Sequence, residues 1–181
     1  ILVRNIVLIT DKRKIKSKKY EQLFSYLDQL IVTESNIPVE VEIVDTEELD
    51  RFSLNTKQRN TLIVSLGGDG TALKAMKLGF RCNQDVLPIG SGRVGYLVSP
   101  IESFNSILDE YLQPLVNRTL SESHLGDNYI KRRPILQNGD YKLPAFNEVV
   151  IIKNSPTRLL DLLIETYDQK VKLRADGIII S

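Results

Sequence analysis

The chain has 181 residues, of which 42% are hydrophobic and 26% charged, and 24 Lys and Arg against 23 Asp and Glu give a formal net charge of +1. This composition is typical of a soluble globular protein, and the length suits one domain or one and a half. The single cysteine, Cys82, excludes a disulfide framework, and the single histidine, His124, excludes a histidine-rich metal cluster. The charge balance gives no case for nucleic-acid binding, and no apolar run approaches the roughly 18 residues of a membrane span. We therefore expect a cytoplasmic protein with neither nucleic acid nor membrane as a partner.

Charge is unevenly distributed near the start of the chain. Six of the eight residues from Lys12 to Lys19 are basic, and seven acids follow between Glu34 and Asp50. Both runs fit a solvated surface. The basic run also fits a loop that faces phosphate, because it directly follows the first predicted strand.

The first two thirds of the chain alternate between strand and helix patterns. The predicted strands cover residues 5–10, 39–44, 61–66 and 85–89. The predicted helices cover residues 18–32, 71–78 and 104–115. Strands that alternate with helices predict a parallel α/β sheet.

The pattern changes after about residue 119, where no helical period appears. The predicted strands there cover residues 129–136, 145–153, 159–167, 170–173 and 177–181. Turn residues separate them, as in an antiparallel all-β unit. The sequence therefore predicts an α/β domain over residues 1–118 and a β-rich domain over residues 119–181.

The most informative stretch follows the buried strand at 61–66. It runs Gly67-Gly68-Asp69-Gly70-Thr71 and leads into a helix. Glycines allow a ligand to approach the backbone closely, and a helix N-terminus suits a phosphate. Asp69 would repel phosphate, so it fits a base, a hydroxyl orienter or a magnesium partner. The alternative is a tight turn in which Asp69 caps the helix.

Three further motifs contain polar or glycine residues at strand ends. Gly90-Ser91-Gly92-Arg93-Val94-Gly95-Tyr96-Leu97 follows the strand at 85–89, on the edge where parallel sheets bind ligands. Asn147 and Glu148 precede an apolar strand and can both face a cleft if the backbone bends, although they also fit an ordinary strand entrance. Asp176-Gly177 leads into the last strand and also fits a hairpin turn.

In order and spacing, these four motifs together resemble the NAD kinase family over nearly the whole chain. The glycine-rich motif at 67–71 alone is shared with diacylglycerol, sphingosine and 6-phosphofructokinase-type kinases, but the lipid kinases continue it with an Asn-Glu-Val where this chain has Ala72-Leu73-Lys74. The resemblance implies a parallel, Rossmann-like sheet in the α/β N-terminal domain. It implies an all-β, β-sandwich-like C-terminal domain, incomplete here because the family continues beyond Ser181.

The implied reaction transfers the γ-phosphoryl group of ATP, or of polyphosphate, to the 2′-hydroxyl of the adenosine ribose of NAD, with Mg²⁺ on the donor phosphates. Asp69 is then the base or orienter for that hydroxyl. A homodimer or homotetramer is implied as well. The alternatives are a non-catalytic nucleotide-binding module and a lipid-kinase-like enzyme.

The resemblance also implies a set of ligand-binding residues. Asn147 and Glu148 match the pair that holds the adenosine of NAD, and Arg174 and Asp176 match the residues around the turn that meets the nicotinamide end. Lys74, predicted on the first turn of the helix, and Arg158 match common basic positions, although both also fit solvated surface charges. The remaining candidate nucleotide-binding residues are Gly67, Gly68, Gly70, Thr71, Gly92 and Tyr96.

Overall fold

The computed structural model describes residues 3–16, 20–21, 23–25, 39–52, 54, 60–90, 95–99, 133–137 and 144–181. They divide into two compact units, Ile1–Lys131 and Arg132–Ser181. The domain boundary predicted between residues 118 and 119 lies outside the described residues and stays a prediction. No helix in the described ranges is long and apolar enough to cross a membrane.

Four parallel strands form the sheet of the first unit, in the order β2-β1-β3-β4. The strands are β1 (Asn5–Thr10), β2 (Glu40–Asp45), β3 (Thr61–Gly67) and β4 (Val86–Gly90). Each lies within one residue of its predicted bounds, so the prediction of a parallel α/β sheet is confirmed. Because all four strands run the same way, their carboxyl ends share one edge of the sheet.

The two central strands carry the core of this unit. Every residue of β3 is buried, and so is every residue of β1 after Asn5. Successive residues of a strand point to opposite faces, so β1 contributes Ile6 and Leu8 to one cluster and Val7 and Ile9 to another. Burial on both faces explains why these strands are apolar without alternation.

One helix, α1 (Asp69–Cys82), covers the face that includes Val7 and Ile9, through Ala75 and Leu78. It starts two residues earlier and ends four residues later than predicted. Asn83 ends it in the left-handed conformation, with φ of 53°. Of the helix predicted at 18–32, the described residues 21 and 23–25 are helical, and the helix predicted at 104–115 lies outside the described residues.

Antiparallel ladders make up the second unit. Its strands are β5 (Leu136–Gln137), β6 (Pro144–Ala145), β7 (Val149–Ile152), β8 (Leu160–Glu165), β9 (Lys170–Ala175) and β10 (Gly177–Ile180). The pairs are β5 with β6, β7 with β10, and β8 with β9. The prediction of antiparallel strands is confirmed for the described residues. The single strand predicted over 145–153 is wrong, because the backbone bends at Phe146 and Asn147 and separates β6 from β7.

Candidate functional site

The turn between β3 and α1 lies at the carboxyl edge of the sheet. Gly68 is the N-cap of the helix and forms no side-chain cap. A Cβ added at Gly68 or Gly70 would meet nothing within 4 Å, so the backbone here is open to a ligand. The first N–H groups of a helix have no partner within it and carry the positive end of its dipole. This turn can therefore receive an anion.

Gly67 has a different role from these two open glycines. A Cβ at Gly67 would overlap the hydroxyl of Thr71 and approach its Cβ to 2.7 Å. Thr71 in turn donates its backbone N–H to the carbonyl of Gly68 at 3.0 Å. Gly67 thus lets the first helical turn pack against the end of β3.

Asp69 links the two glycine-rich motifs. Its Oδ2 accepts a hydrogen bond from the backbone N–H of Tyr96 at 3.0 Å, and its Oδ1 accepts one from the N–H of Leu97 at 3.1 Å. The alternative in which Asp69 caps α1 is wrong, because Gly68 is the N-cap and Asp69 is already helical. The carboxylate thus accepts one hydrogen bond at each oxygen from the loop after β4, and these two bonds fix that loop beside the turn.

Gly95 makes this contact possible. A Cβ there would overlap the carboxylate of Asp69 and lie 2.6 Å from Val98 Cγ2. The loop returns to β4 through Ser99, whose carbonyl accepts from the N–H of Gly90 at 2.6 Å. Gly92 lies outside the described residues.

Tyr96 presents its side chain to solvent. Its relative exposure is 96%, although its backbone is held by Asp69. An aromatic ring that is fully exposed on a fixed backbone can stack on a planar ligand group. The exposed ring of Tyr96, beside the turn, is therefore suited to the binding role predicted for it.

Lys74 is tied to the backbone at the neighbouring strand end. Its Nζ donates to the carbonyl of Thr46, just after β2, at 3.2 Å. Because α1 begins at Asp69, Lys74 lies in the second turn of the helix, and its predicted place on the first turn is wrong. Lys74 is nevertheless an exposed residue.

The two charge runs meet at the same edge. Lys12 pairs with Glu48 at 3.0 Å, and Arg13 contacts Asp11 at 2.8 Å and Glu47 at 3.6 Å. At Lys12 and Arg13 the structure therefore favours a solvated surface over a loop that faces phosphate, because both side chains already pair with carboxylates.

Asp45 anchors the turn after β2. The backbone N–H groups of Glu47 and Lys12 donate to its carboxylate at 2.9 and 3.0 Å. These bonds favour the charged form, so the pKa of the Asp45 carboxyl lies below its ordinary value. The pKa of Arg13 is raised because its guanidinium donates hydrogen bonds to the carboxylate of Asp11.

In the second unit, Asn147 and Glu148 are both exposed at the entrance to β7. The backbone bends at Phe146 and Asn147, which is the condition under which both side chains can face one cleft. Arg158, in the segment between β7 and β8, is exposed and forms no ion pair with another described residue.

Arg174 and Asp176 lie near the end of β9, and each has an ionic partner. Arg174 pairs with Asp161 of β8 at 2.8 Å, and Asp176 pairs with Lys153. Asp176-Gly177 is not a hairpin turn, because β9 pairs with β8 whereas β10 pairs with β7. Sequence reasoning missed Lys153, whose only signal was a basic residue at the end of the strand predicted over residues 145–153.

Comparison with known proteins decides the family. The sequence model of the ATP-NAD kinase N-terminal domain matches residues 3–116. The chain belongs to the NAD kinase family. The match contains both glycine-rich motifs of the first unit.

Relatives in the NAD kinase family extend the similarity into the second unit. An NAD kinase of Methanosphaera stadtmanae is 31% identical over 168 residues, which is 86% of this chain and 56% of that protein. Because 86% of 181 residues is about 156, this match passes residue 131. An NAD kinase of Legionella pneumophila strain Corby is 28% identical, covering 68% of this chain and 41% of its own length. The chain thus spans about half the length of these relatives.

A solved NAD kinase shares the fold. The crystal structure of an NAD kinase from Archaeoglobus fulgidus in complex with ATP aligns with a TM-score of 0.58 at 23% identity. The alignment covers 97% of this chain and 59% of that one. It includes both units of the chain.

Proposed function

We propose that the complete protein is an NAD kinase, which transfers the γ-phosphoryl group of ATP, or of polyphosphate, to the 2′-hydroxyl of the adenosine ribose of NAD. The observation that carries the proposal is the carboxylate of Asp69, fixed by two backbone N–H groups in an open, glycine-lined turn. Membership of the family and the names of the relatives support the same reaction. Neither favours a lipid kinase.

Asp69 is the proposed catalytic residue. A carboxylate has about four acceptor positions, and the loop occupies one on each oxygen. The remaining positions can accept the proton of the ribose hydroxyl. The ribose oxygen then forms a bond to the γ-phosphorus, the bond from that phosphorus to the β–γ bridging oxygen breaks, and ADP leaves. Because Asp69 is held before the substrate arrives, its orientation costs little at the moment of reaction.

The start of α1 is the proposed site of the donor phosphates. The open backbone at Gly68 and Gly70 allows close approach, and the free N–H groups attract the anion. Gly67, Thr71 and Gly92 are proposed to shape this site.

Magnesium fits this donor set as a companion of the phosphates. The described residues contain no group of three His, Cys, Asp or Glu that can hold a metal ion. Mg²⁺ commonly binds through one or two carboxylates and substrate phosphates, so a protein cage is not required. When bound, the ion would neutralise charge on the transferring group.

The second unit is the proposed NAD site. Glu148 and Lys153 lie at opposite ends of β7. They are five residues apart, and a rise of about 3.3 Å per residue places their backbones roughly 16 Å from each other. Asn147 and Glu148 thus lie at one end of the ladder, and Asp176 lies at the other. This separation suits an extended dinucleotide whose adenosine contacts the first pair and whose nicotinamide end contacts Asp176 and Arg174. Tyr96, Lys74 and Arg158 are proposed as further nucleotide contacts.

The fold type of each domain, the domain boundary, the oligomeric state and the cellular location are proposed as well. The sheet of the first unit is proposed to be Rossmann-like, within a domain that ends near residue 118, and the second domain is proposed to be β-sandwich-like. A homodimer or homotetramer is proposed for the complete protein. The cytoplasmic location stays a prediction from the sequence.

The test incubates the full protein with NAD, Mg²⁺ and either ATP or polyphosphate, and measures NADP. We expect NADP with at least one donor, and none when the donor is omitted. If NAD binds and no NADP forms, the protein is a non-catalytic nucleotide-binding module. If diacylglycerol or sphingosine is phosphorylated instead, the lipid-kinase alternative is correct.

A further inference from the structure

The polypeptide passes from one ladder to the other at Asp176, the single residue between β9 and β10. We call Asp176 and Gly177 the corner. A Cβ at Gly177 would lie 2.5 Å from the carbonyl oxygen of Ile151 and 3.2 Å from Cα of Ile152. No side chain fits at such a close approach, so the backbone on this side of Asp176 is pressed against β7.

Lys153, the residue after β7, holds the corner at two points. Its backbone N–H donates to the carbonyl of Asp176 at 2.8 Å, and its ammonium forms an ion pair with Asp176 Oδ1. The same ammonium donates to the carbonyl of Pro156 at 3.3 Å. The lysine is therefore fixed independently of the carboxylate that it holds.

The two partners differ in exposure. The side chain of Lys153 is 26% exposed, and that of Asp176 is 72% exposed. By contrast, the pairs Lys170–Glu165 and Arg174–Asp161 in the same unit have both partners at least 49% exposed. Lys153 thus acts as the anchored partner, whereas Asp176 is the accessible one.

The ion pair also leaves part of the carboxylate available. Oδ1 of Asp176 faces the ammonium, and within the described ranges Oδ2 has no hydrogen-bond partner. A side chain that is already held in one orientation loses less conformational freedom when a ligand binds. The pair therefore presents one oxygen to a ligand in a fixed direction.

We propose that Lys153 is a positioning residue that fixes the Asp176 carboxylate for the nicotinamide end of NAD. The inference rests on the proposed function, in which Asp176 contacts NAD. Lys153 acts through Asp176 and does not itself touch the substrate. Its effect is on binding, since Asp176 is remote from the group that accepts the phosphoryl.

The test uses the full protein and the variant Lys153→Met. The KM for NAD should rise about fivefold while kcat changes little, because a contact made equally in the ground state and the transition state is weakened. Lys153→Arg should restore much of the affinity. Lys170→Met is the matched control, since it removes another lysine–carboxylate pair from the same unit, and it should leave the KM for NAD unchanged.

A double variant separates positioning from a general structural effect. In the Asp176→Asn background, Lys153→Met should cause no further rise in KM, because the partner through which it acts is already altered. Additive effects, or equal effects of Lys153→Met and Lys170→Met, would overturn the proposal. An active parent protein with an unchanged KM in Lys153→Met refutes the positioning role alone. A parent that forms no NADP refutes the proposed function, and NAD binding measured by calorimetry then replaces KM as the readout. In that case, the positioning role is overturned if Lys153→Met binds NAD with an unchanged dissociation constant. It is also overturned if the parent does not bind NAD.

Discussion

The carboxylate of Asp69 accepts a hydrogen bond from the backbone N–H of Tyr96, 3.0 Å away, so the first residue of α1 holds the loop that follows β4. The two glycine-rich motifs are thereby parts of one arrangement. Substitutions at Asp69 will act on both the reaction and the position of this loop. Variants that separate the two effects are therefore the most informative.

Asp69→Asn should reduce NADP formation by about 10²-fold or more, because an amide cannot take the proton of the ribose hydroxyl. The amide oxygen can still accept from one of the two loop N–H groups, so about 1 kcal/mol of stability should be lost with the other. NAD binding, measured by calorimetry, should largely survive. Loss of turnover and NAD binding together would show that Asp69 is mainly structural, and near-normal turnover would contradict its role as the base.

Gly95→Ala tests the loop without altering the carboxylate. The new methyl group would overlap Asp69 and press on Val98 at 2.6 Å. We expect a loss of about 1–3 kcal/mol in the free energy of unfolding, as in other overpacked sites. Denaturant unfolding measures this loss. An unchanged midpoint would show that the loop moves freely away from Asp69.

Gly70→Ala places a methyl group in the open turn instead, where nothing lies within 4 Å. The free energy of unfolding should stay the same or rise slightly, because alanine has a higher helix propensity than glycine. The KM for ATP should nevertheless rise by about tenfold, since the methyl group occupies the space that the phosphates need. Steady-state kinetics and thermal unfolding together check both parts. A KM equal to that of the parent would place the phosphates elsewhere.

The parallel sheet of the first unit could be predicted from the sequence because its signals are local. β1 and β3 are buried on both faces, and such strands are continuous apolar runs. The partners of Asp69 could not be predicted, because they are backbone N–H groups, which nearly every residue carries, 27 and 28 positions away. The ion pair of Lys153 with Asp176 could not be predicted either, because it depends on the pairing of β7 with β10, which the sequence does not specify.

Asp45→Asn should change the response of stability to acid. Because the folded pKa of Asp45 lies below its ordinary value of 3.8, its stabilisation is complete well above that pH and is lost as the pH falls through the lower folded value. The variant should therefore be less stable than the parent at pH 6, and the difference should shrink below about pH 4. Thermal unfolding between pH 3 and 7 measures this.

Asp50→Asn is the matched control for Asp45→Asn, because it removes an exposed acid of the same segment that forms no ion pair with another described residue. The two variants differ in what they remove besides charge. Asp45→Asn keeps one acceptor oxygen, so it loses one of the two bonds from the N–H groups of Glu47 and Lys12, which hold the turn after β2. If the gap between the Asp45 variant and the parent stayed constant across the pH range, these backbone bonds would not favour the charged carboxylate. If both variants behaved alike, the effect would come from surface charge and not from the turn.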